Sequence, residues 1–118
     1  MATGTIKNTI YEKTGSFTPN GSAAAHLQIK QFGKIVSING WIENISITSS
    51  TASAYLGTFA GINMPPDSIR TLAGIAAHAY EHPQDVAYLY MLADGKLYCH
   101  STATGTKAAI FSFSYIAN

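Results

Sequence analysis

Residues 86–100 have the sequence VAYLYMLADGKLYCH. Two apolar stretches, 86–92 and 96–100, lie on either side of Asp94-Gly95. An Asp-Gly pair between alternating apolar residues is the strongest short-range signal for a β-hairpin. The first stretch is apolar at almost every position, which is typical of a strand covered on both faces. These residues therefore predict an antiparallel β structure in this half of the chain.

The same period of two runs through the rest of the sequence. Residues 25–32 largely alternate between apolar and polar side chains, as a half-buried strand does. Residues 68–77 also match a helical stripe, but Gly74 and the surrounding strands favour a strand. Further strands are predicted at 34–44, continuing through 45–49, at 55–60 and at 107–116. About eight short strands without a clear helix predict an all-β fold, either a sandwich or a barrel.

The composition excludes several classes of function. The chain has 118 residues, 47% of them hydrophobic and 11% charged, with a formal net charge of +1. We therefore expect no basic patch for nucleic acid or for an anionic membrane surface. No apolar stretch approaches the roughly 20 residues of a membrane-spanning helix, so no membrane insertion is expected. The first residues show no secretory signal.

The length is that of one domain with one hydrophobic core. Residues 1–23 are polar and rich in turn-forming residues, so we expect a connector or a first strand there. Within them, residues 9–12 are a candidate strand. Residues 24–118 are then expected to form the β domain, a sandwich or a barrel. Cys99 is the only cysteine, which excludes an intrachain disulfide, and its position within a strand predicts a buried thiol.

The last predicted strand is apolar or small on both faces. Phe111, Phe113 and Tyr115 share one face, and Ile110 and Ile116 lie on the other. A two-sheet domain has one interior, so the second apolar face needs another cover. Self-association through one sheet is the simplest cover. The candidate interface residues are Tyr88, Tyr90, Phe111, Phe113 and Tyr115.

One segment matches a metal-site pattern. His78, Glu81 and His82 have the H-x-x-E-H spacing of an inverted zinc-peptidase motif, which requires both histidines on one face of a helix. Pro83 disfavours a helix immediately before it, and the segment lies between two predicted strands. A polar loop is the preferred interpretation, with a zinc peptidase as an alternative. No nucleophile elbow is found either, so we expect no enzyme, no metal and no cofactor.

Aromatic residues are the remaining candidates for a site. Trp41 lies on the opposite face of its strand from Val36, Ile38 and Ile42, so it is exposed or at a subunit contact. Flat rings with polar edges suit the binding of a saccharide. The alternative is that these rings only pack against neighbouring strand residues. The saccharide-binding candidates are Trp41, His78, Tyr80, His82, Tyr98 and His100.

The order of several elements resembles the C-terminal head domain of phage receptor-binding proteins and tail fibres. The first is GKIVSING at residues 33–40, similar to a family strand. The second is LGTF at 56–59 followed by Met64-Pro65-Pro66, where residues 60–63 are an insertion relative to the family. The others are the Asp94-Gly95 hairpin and the final IFSFSYI at 110–116.

The resemblance implies a jelly-roll-like antiparallel β-sandwich that is a homotrimer. It implies a non-catalytic head domain that attaches a phage, or a phage-derived particle, to a host cell-surface saccharide. Other tail or baseplate proteins would bind through the N-terminus. Such a protein is made in the bacterial cytoplasm and acts outside the cell on the virion. A structural trimerisation cap of a fibre and a monomeric cellular lectin are the alternatives.

Overall fold

The computed structural model describes residues 12–117, and these residues form an all-β fold with nine strands. Every strand predicted between residues 25 and 116 is confirmed, with ends that differ by at most two residues. Residues 68–77 contain a strand and not a helix. The strands are β1 (Glu12–Thr14), β2 (Ser16–Pro19), β3 (Ala24–Phe32), β4 (Ile35–Ile47), β5 (Ala54–Ala60), β6 (Ile69–Ala76), β7 (Asp85–Met91), β8 (Lys96–His100) and β9 (Gly105–Ile116).

All strand pairs are antiparallel and belong to one sheet with the order β1-β3-β4-β9-β6-β7-β8-β5-β2. The two ends of this order are β1 and β2, which follow each other in the chain, so the sheet nearly closes on itself. β6, β7 and β8 pair in succession, and β9 returns to lie beside β6. This arrangement of four strands is a Greek key. Within residues 12–117 there is no helix long and apolar enough to cross a membrane.

The N-terminal segment contributes the two strands that bring the sheet edges together. β1 pairs with β3, and β2 pairs with β5. Gly15 lies between them, and its N–H donates a 2.9 Å hydrogen bond to the carbonyl oxygen of Ile29. A Cβ at Gly15 would lie 2.5 Å from the Ile29 side chain, so only glycine fits this close approach. Most of the candidate strand at 9–12 lies outside the described residues.

Alternate side chains of the strands fill one core. On β9 the inward face carries Phe111, which is 5% exposed, with Phe113 and Tyr115 partly buried against the same core. These three predicted interface residues therefore pack within their own chain. The outward face of β9 carries Ile110, Ser112, Ser114 and Ile116. The largest fully buried side chains are Val36, Ile38, Ile42, Ile47, Leu56, Ile75, Leu89, Met91, Leu97 and Cys99.

Residues 60–63, at the end of β5 and just after it, have a structural role. Ile62 is buried in the core, and the backbone N–H of Asn63 donates to Oε1 of the buried Gln31 at 2.8 Å. The Tyr115 hydroxyl donates to the Asn63 carbonyl oxygen at 2.7 Å. Partial burial raises the pKa of Tyr115 to about 12. This segment thus connects β3 to the end of β9.

Candidate functional site

The β3–β4 hairpin places two rings side by side on the outer face of the sheet. The turn between the strands contains only Gly33 and Lys34, and counting outward from it pairs His26 with Trp41. Their ring centroids are 5.1 Å apart, with an angle of 25° between the planes. Trp41 is 40% exposed, which confirms the predicted outward position. The stacked imidazole holds the indole in one orientation.

Glu43 completes this part of the site. Nε2 of His26 lies 2.9 Å from Oε1 of Glu43, which is hydrogen-bonding distance. Neither His26 nor Glu43 was among the sequence candidates. The signal for His26 was present, because a two-residue turn fixes the register of a hairpin and places residue 26 opposite residue 41. Glu43 follows from the same register, since it lies on the same face of β4 as Trp41.

The 77–84 loop, which connects β6 to β7, folds back over the sheet. Pro83 packs on Gly74, where an added Cβ would lie 2.7 Å from Cγ of the proline ring. The N–H of Gln84 donates to the Ile75 carbonyl oxygen at 2.9 Å, which closes the loop at its base. Gly74 is on the outer face of β6, opposite Ile110 of β9 and Val86 of β7. The loop therefore crosses the outer face toward Trp41.

Tyr80 of the 77–84 loop reaches the neighbourhood of Trp41. A cleft of about 340 Å³ is lined by His26, Trp41, Glu43, Ala79 and Tyr80. We call it the Trp41 cleft. Tyr80 is 85% exposed, so its ring is accessible to a ligand. His78 stacks on Tyr80 with ring centroids 5.2 Å apart and nearly parallel planes.

A second groove continues from the other side of the same rings. It has a volume of about 580 Å³, is wide open to solvent, and follows β3 from His26 and Trp41 toward Thr14 and Gly15. His26 and Trp41 border both depressions. The two depressions therefore adjoin each other at these rings. Aromatic ring faces supply apolar contact area there, and Glu43 and His26 supply hydrogen-bonding groups.

Two of the remaining saccharide candidates, Tyr98 and His100, belong to another part of the sheet. His100 lines a separate cleft of about 300 Å³ with Val86, Tyr88, Tyr90 and Thr102. Tyr98 lies opposite Tyr90 in the β7–β8 ladder, and its ring centroid is 5.3 Å from that of Tyr55. His82 is exposed in the 77–84 loop. The sequence candidates therefore do not form one site, because Trp41 and Tyr80 line one cleft and His100 lines another. The linings of these two clefts do not include His78, His82 and Tyr98.

The outer face of β6 and β7 exposes several apolar side chains. Leu72 and Tyr88 are directly opposite each other and are 56% and 46% exposed, and Val86 is 66% exposed. The Arg70 guanidinium lies 5.2 Å from the ring centroids of both Tyr88 and Tyr90, within the range of a cation–π contact. We call Leu72, Val86 and Tyr88 the β6–β7 patch. Of the five predicted interface residues, Tyr88 and Tyr90 lie on this outer face.

The H-x-x-E-H segment does not form the helix that zinc-peptidase chemistry needs. Residues 78–82 are part of the 77–84 loop, where the Glu81 N–H donates to the His78 carbonyl oxygen at 3.1 Å. Among the described residues, no group of three or more His, Cys, Asp or Glu side chains is arranged to hold a metal ion. Cys99 is buried, as predicted, and burial raises the pKa of its thiol to about 11. The thiol is therefore protonated at neutral pH and packs in the core.

Comparison of the chain with protein family models, with curated proteins and with solved structures finds no match. The residues of the Trp41 cleft and of the β6–β7 patch are therefore the basis for a functional proposal.

Proposed function

We propose that this chain is the head domain of a phage, or phage-derived, receptor-binding protein that attaches to a host cell-surface saccharide without catalysing a reaction. The observation that carries the proposal is the Trp41 cleft, which presents Trp41 and Tyr80 to solvent beside a carboxylate and an imidazole. Sugar rings offer apolar faces for stacking and hydroxyl groups for hydrogen bonding. An outward cleft with two aromatic rings and polar edges offers both kinds of contact.

The strand pairings support a jelly-roll as the finer description of the fold. β4 pairs with β9, β5 with β8, and β6 with β7, so the pairings are nested like those of one long folded hairpin. A jelly-roll consists of two Greek keys with such nested strands. The receptor-binding head that the sequence resembles has the same architecture. The order of the resembling motifs and the nested pairing therefore favour the same family.

A homotrimer is part of this proposal. Leu72, Val86 and Tyr88 form an apolar patch on the outer face, and a second and third copy would shield it from water. The Trp41 cleft lies on the same face, because Trp41, Ile110, Gly74 and Val86 occupy one row across four strands. Saccharide sites would then lie near subunit borders. Three linked sites raise the overall affinity for a repetitive polysaccharide through avidity.

A receptor-binding head also has partners other than the saccharide and the other copies of the chain. The N-terminal segment would connect the trimer to other tail or baseplate proteins, and the head would act at the tip of the virion, outside the cell that made it. A structural trimerisation cap is the second candidate, favoured by the β6–β7 patch, which a cap would also bury. A structural cap needs no ligand-binding cleft, so the Trp41 cleft favours the receptor-binding head.

A binding screen separates these two candidates. The 118-residue chain is applied to immobilised cell-wall and surface polysaccharides from a panel of bacteria, with a glycan array in parallel. A receptor-binding head binds a subset of these polysaccharides. It also inhibits adsorption of the phage, or phage-derived particle, to bacterial strains that carry a bound polysaccharide. A cap binds none of these polysaccharides while still forming a trimer.

A further inference from the structure

The position of Glu43 gives the Trp41 cleft a charge preference. We infer that the cleft selects a saccharide that carries an ammonium group, such as an amino sugar with a free amine, over the neutral N-acetylated form. This inference rests on the proposed function, because it assumes that a saccharide occupies the cleft. It adds the chemical class of the ligand and assigns the selecting role to Glu43.

The carboxylate of Glu43 is held in place within the cleft wall. Its Oε1 lies 2.9 Å from Nε2 of His26, and the His26 ring is stacked on Trp41. Within residues 12–117 this is the only side-chain hydrogen bond of Glu43, so Oε2 is available to a ligand. The side chain of Glu43 is 36% exposed, which leaves it accessible but partly removed from solvent screening. A fixed and partly desolvated carboxylate is a better partner for a cation than a mobile surface one.

The charge of the cleft is not balanced by a neighbouring lysine or arginine. Among the described residues that line it, Glu43 is the only acid, and none is Lys or Arg. Lys30 follows on the same face of β3, but its Nζ lies 3.1 Å from Glu12 and 3.0 Å from the Thr14 hydroxyl oxygen. Among the described residues that line the cleft, His26 is therefore the only side chain that could offset the charge of Glu43.

The aromatic walls favour the same sign of ligand charge. The faces of the Trp41 and Tyr80 rings are electron-rich and attract cations, with Trp the strongest of the aromatic side chains in this respect. A phosphate or carboxylate on a ligand would meet both the ring faces and the Glu43 carboxylate, and would be repelled. An ammonium group meets favourable contacts from both. A neutral sugar gains the stacking contact and the hydrogen bonds of its hydroxyl groups, but no attraction between opposite charges.

Trp41 is also a built-in reporter, because it is the only tryptophan of the chain. The experiment titrates the protein with a glucosamine trisaccharide, with its N-acetylated form and with its permanently charged N-trimethylated form, following tryptophan fluorescence. We expect both charged forms to bind about fivefold more tightly than the acetylated form, as one partly screened ion pair provides. Added salt reduces this preference.

Two variants test whether the Glu43 carboxylate causes the preference for the charged saccharides. Glu43→Gln keeps the shape and the hydrogen bond to His26 but removes the charge, so the charged and acetylated forms should bind equally. Asp67→Asn is the matched control, because Asp67 is an exposed carboxylate before the start of β6, the end of that strand distant from the 77–84 loop. It should keep the preference unchanged.

The outcomes distinguish the inference from the proposed function. If the acetylated form binds as tightly as the charged forms, or if Glu43→Gln keeps the preference, the inference is wrong and saccharide binding stands. If none of the three trisaccharides binds while a host polysaccharide does, the inference is again wrong. If no trisaccharide and no polysaccharide binds, both the inference and the proposed function are wrong.

Discussion

Pro83 rests directly on the Cα of Gly74: a Cβ at Gly74 would lie 2.7 Å from Cγ and 2.8 Å from Cβ of the proline ring. This contact joins the 77–84 loop to the outer face of β6. Tyr80 belongs to the same loop, so its place beside Trp41 depends on how closely the loop can approach the sheet. Glycine at position 74 is therefore a requirement of the site as well as of the fold.

Replacing Gly74 should displace the loop. Gly74→Ala forces Pro83 to move, and such overpacking costs about 1–3 kcal/mol of unfolding free energy. Pro83→Gly removes both ring atoms, Cβ and Cγ, that obstruct the new methyl group, so the destabilisation of the double variant should be smaller than the sum of the two single effects. Urea denaturation of the four proteins measures this coupling. Additive effects would show that the contact between Gly74 and Pro83 does not position the loop.

Cys99 should make stability sensitive to alkaline pH. Burial raises the pKa of its thiol from 9.0 to about 11, so the unfolded chain loses this proton at lower pH than the folded one. The contribution of the thiol to stability is therefore complete below about pH 9 and is lost as the pH rises toward 11. We expect Cys99→Ala to have a shallower decline of unfolding free energy across this window.

The control for that measurement is Tyr115→Phe. The raised pKa of Tyr115, about 12, moves its own contribution to a higher window, between about pH 10 and 12. Tyr115→Phe should therefore change the decline of unfolding free energy at higher pH than Cys99→Ala does. A decline between pH 9 and 11 with the same slope in Cys99→Ala and in the unmodified protein would contradict the buried position of the thiol.

The β6–β7 patch should hold the subunits together. Light scattering on a sizing column is expected to give three times the chain mass of 12.5 kDa. Leu72→Lys places a charge in the apolar patch and should reduce this mass to that of a monomer. Ser114→Lys is the matched control, because Ser114 is an outward residue in a polar part of β9, and it should leave the trimer intact. If the unmodified chain is a stable monomer, the proposed trimer is wrong.

Much of the fold was accessible from local sequence alternation. The period of two predicted most strands from β3 to β9, because a strand that buries one face has a local alternating pattern. β7 was predicted from its nearly continuous apolar run as a strand covered on both faces, but within the chain Val86 and Tyr88 on its outer face are exposed. The outward position of Trp41 and the burial of Cys99 followed from the same alternation. Phe111 shows what alternation alone does not determine. Alternation showed which side chains share a face with it, but which face meets the core depends on the pairing of β9 with β4 and β6.

The site itself was only partly accessible. His26 lies opposite Trp41 because of the short turn at Gly33, and this register could have been counted from the sequence. The approach of Tyr80 could not, since it requires a loop to fold back over a strand that is distant in sequence from β4. The separation of Tyr98 and His100 from Trp41 has the same origin, because it depends on the order of strands within the sheet.

The proposed function requires Trp41 to contact a saccharide of the host surface. The most direct measurement compares the unmodified chain, Trp41→Ala and Phe32→Ala for binding to the polysaccharide that the screen identifies. Phe32 is an exposed aromatic residue at the far end of the same β3–β4 hairpin, so it controls for the loss of a surface ring. We predict that Trp41→Ala weakens binding about tenfold or more, as the loss of one stacking contact implies, while Phe32→Ala binds like the unmodified chain. Equal binding by Trp41→Ala and the unmodified chain would contradict the account.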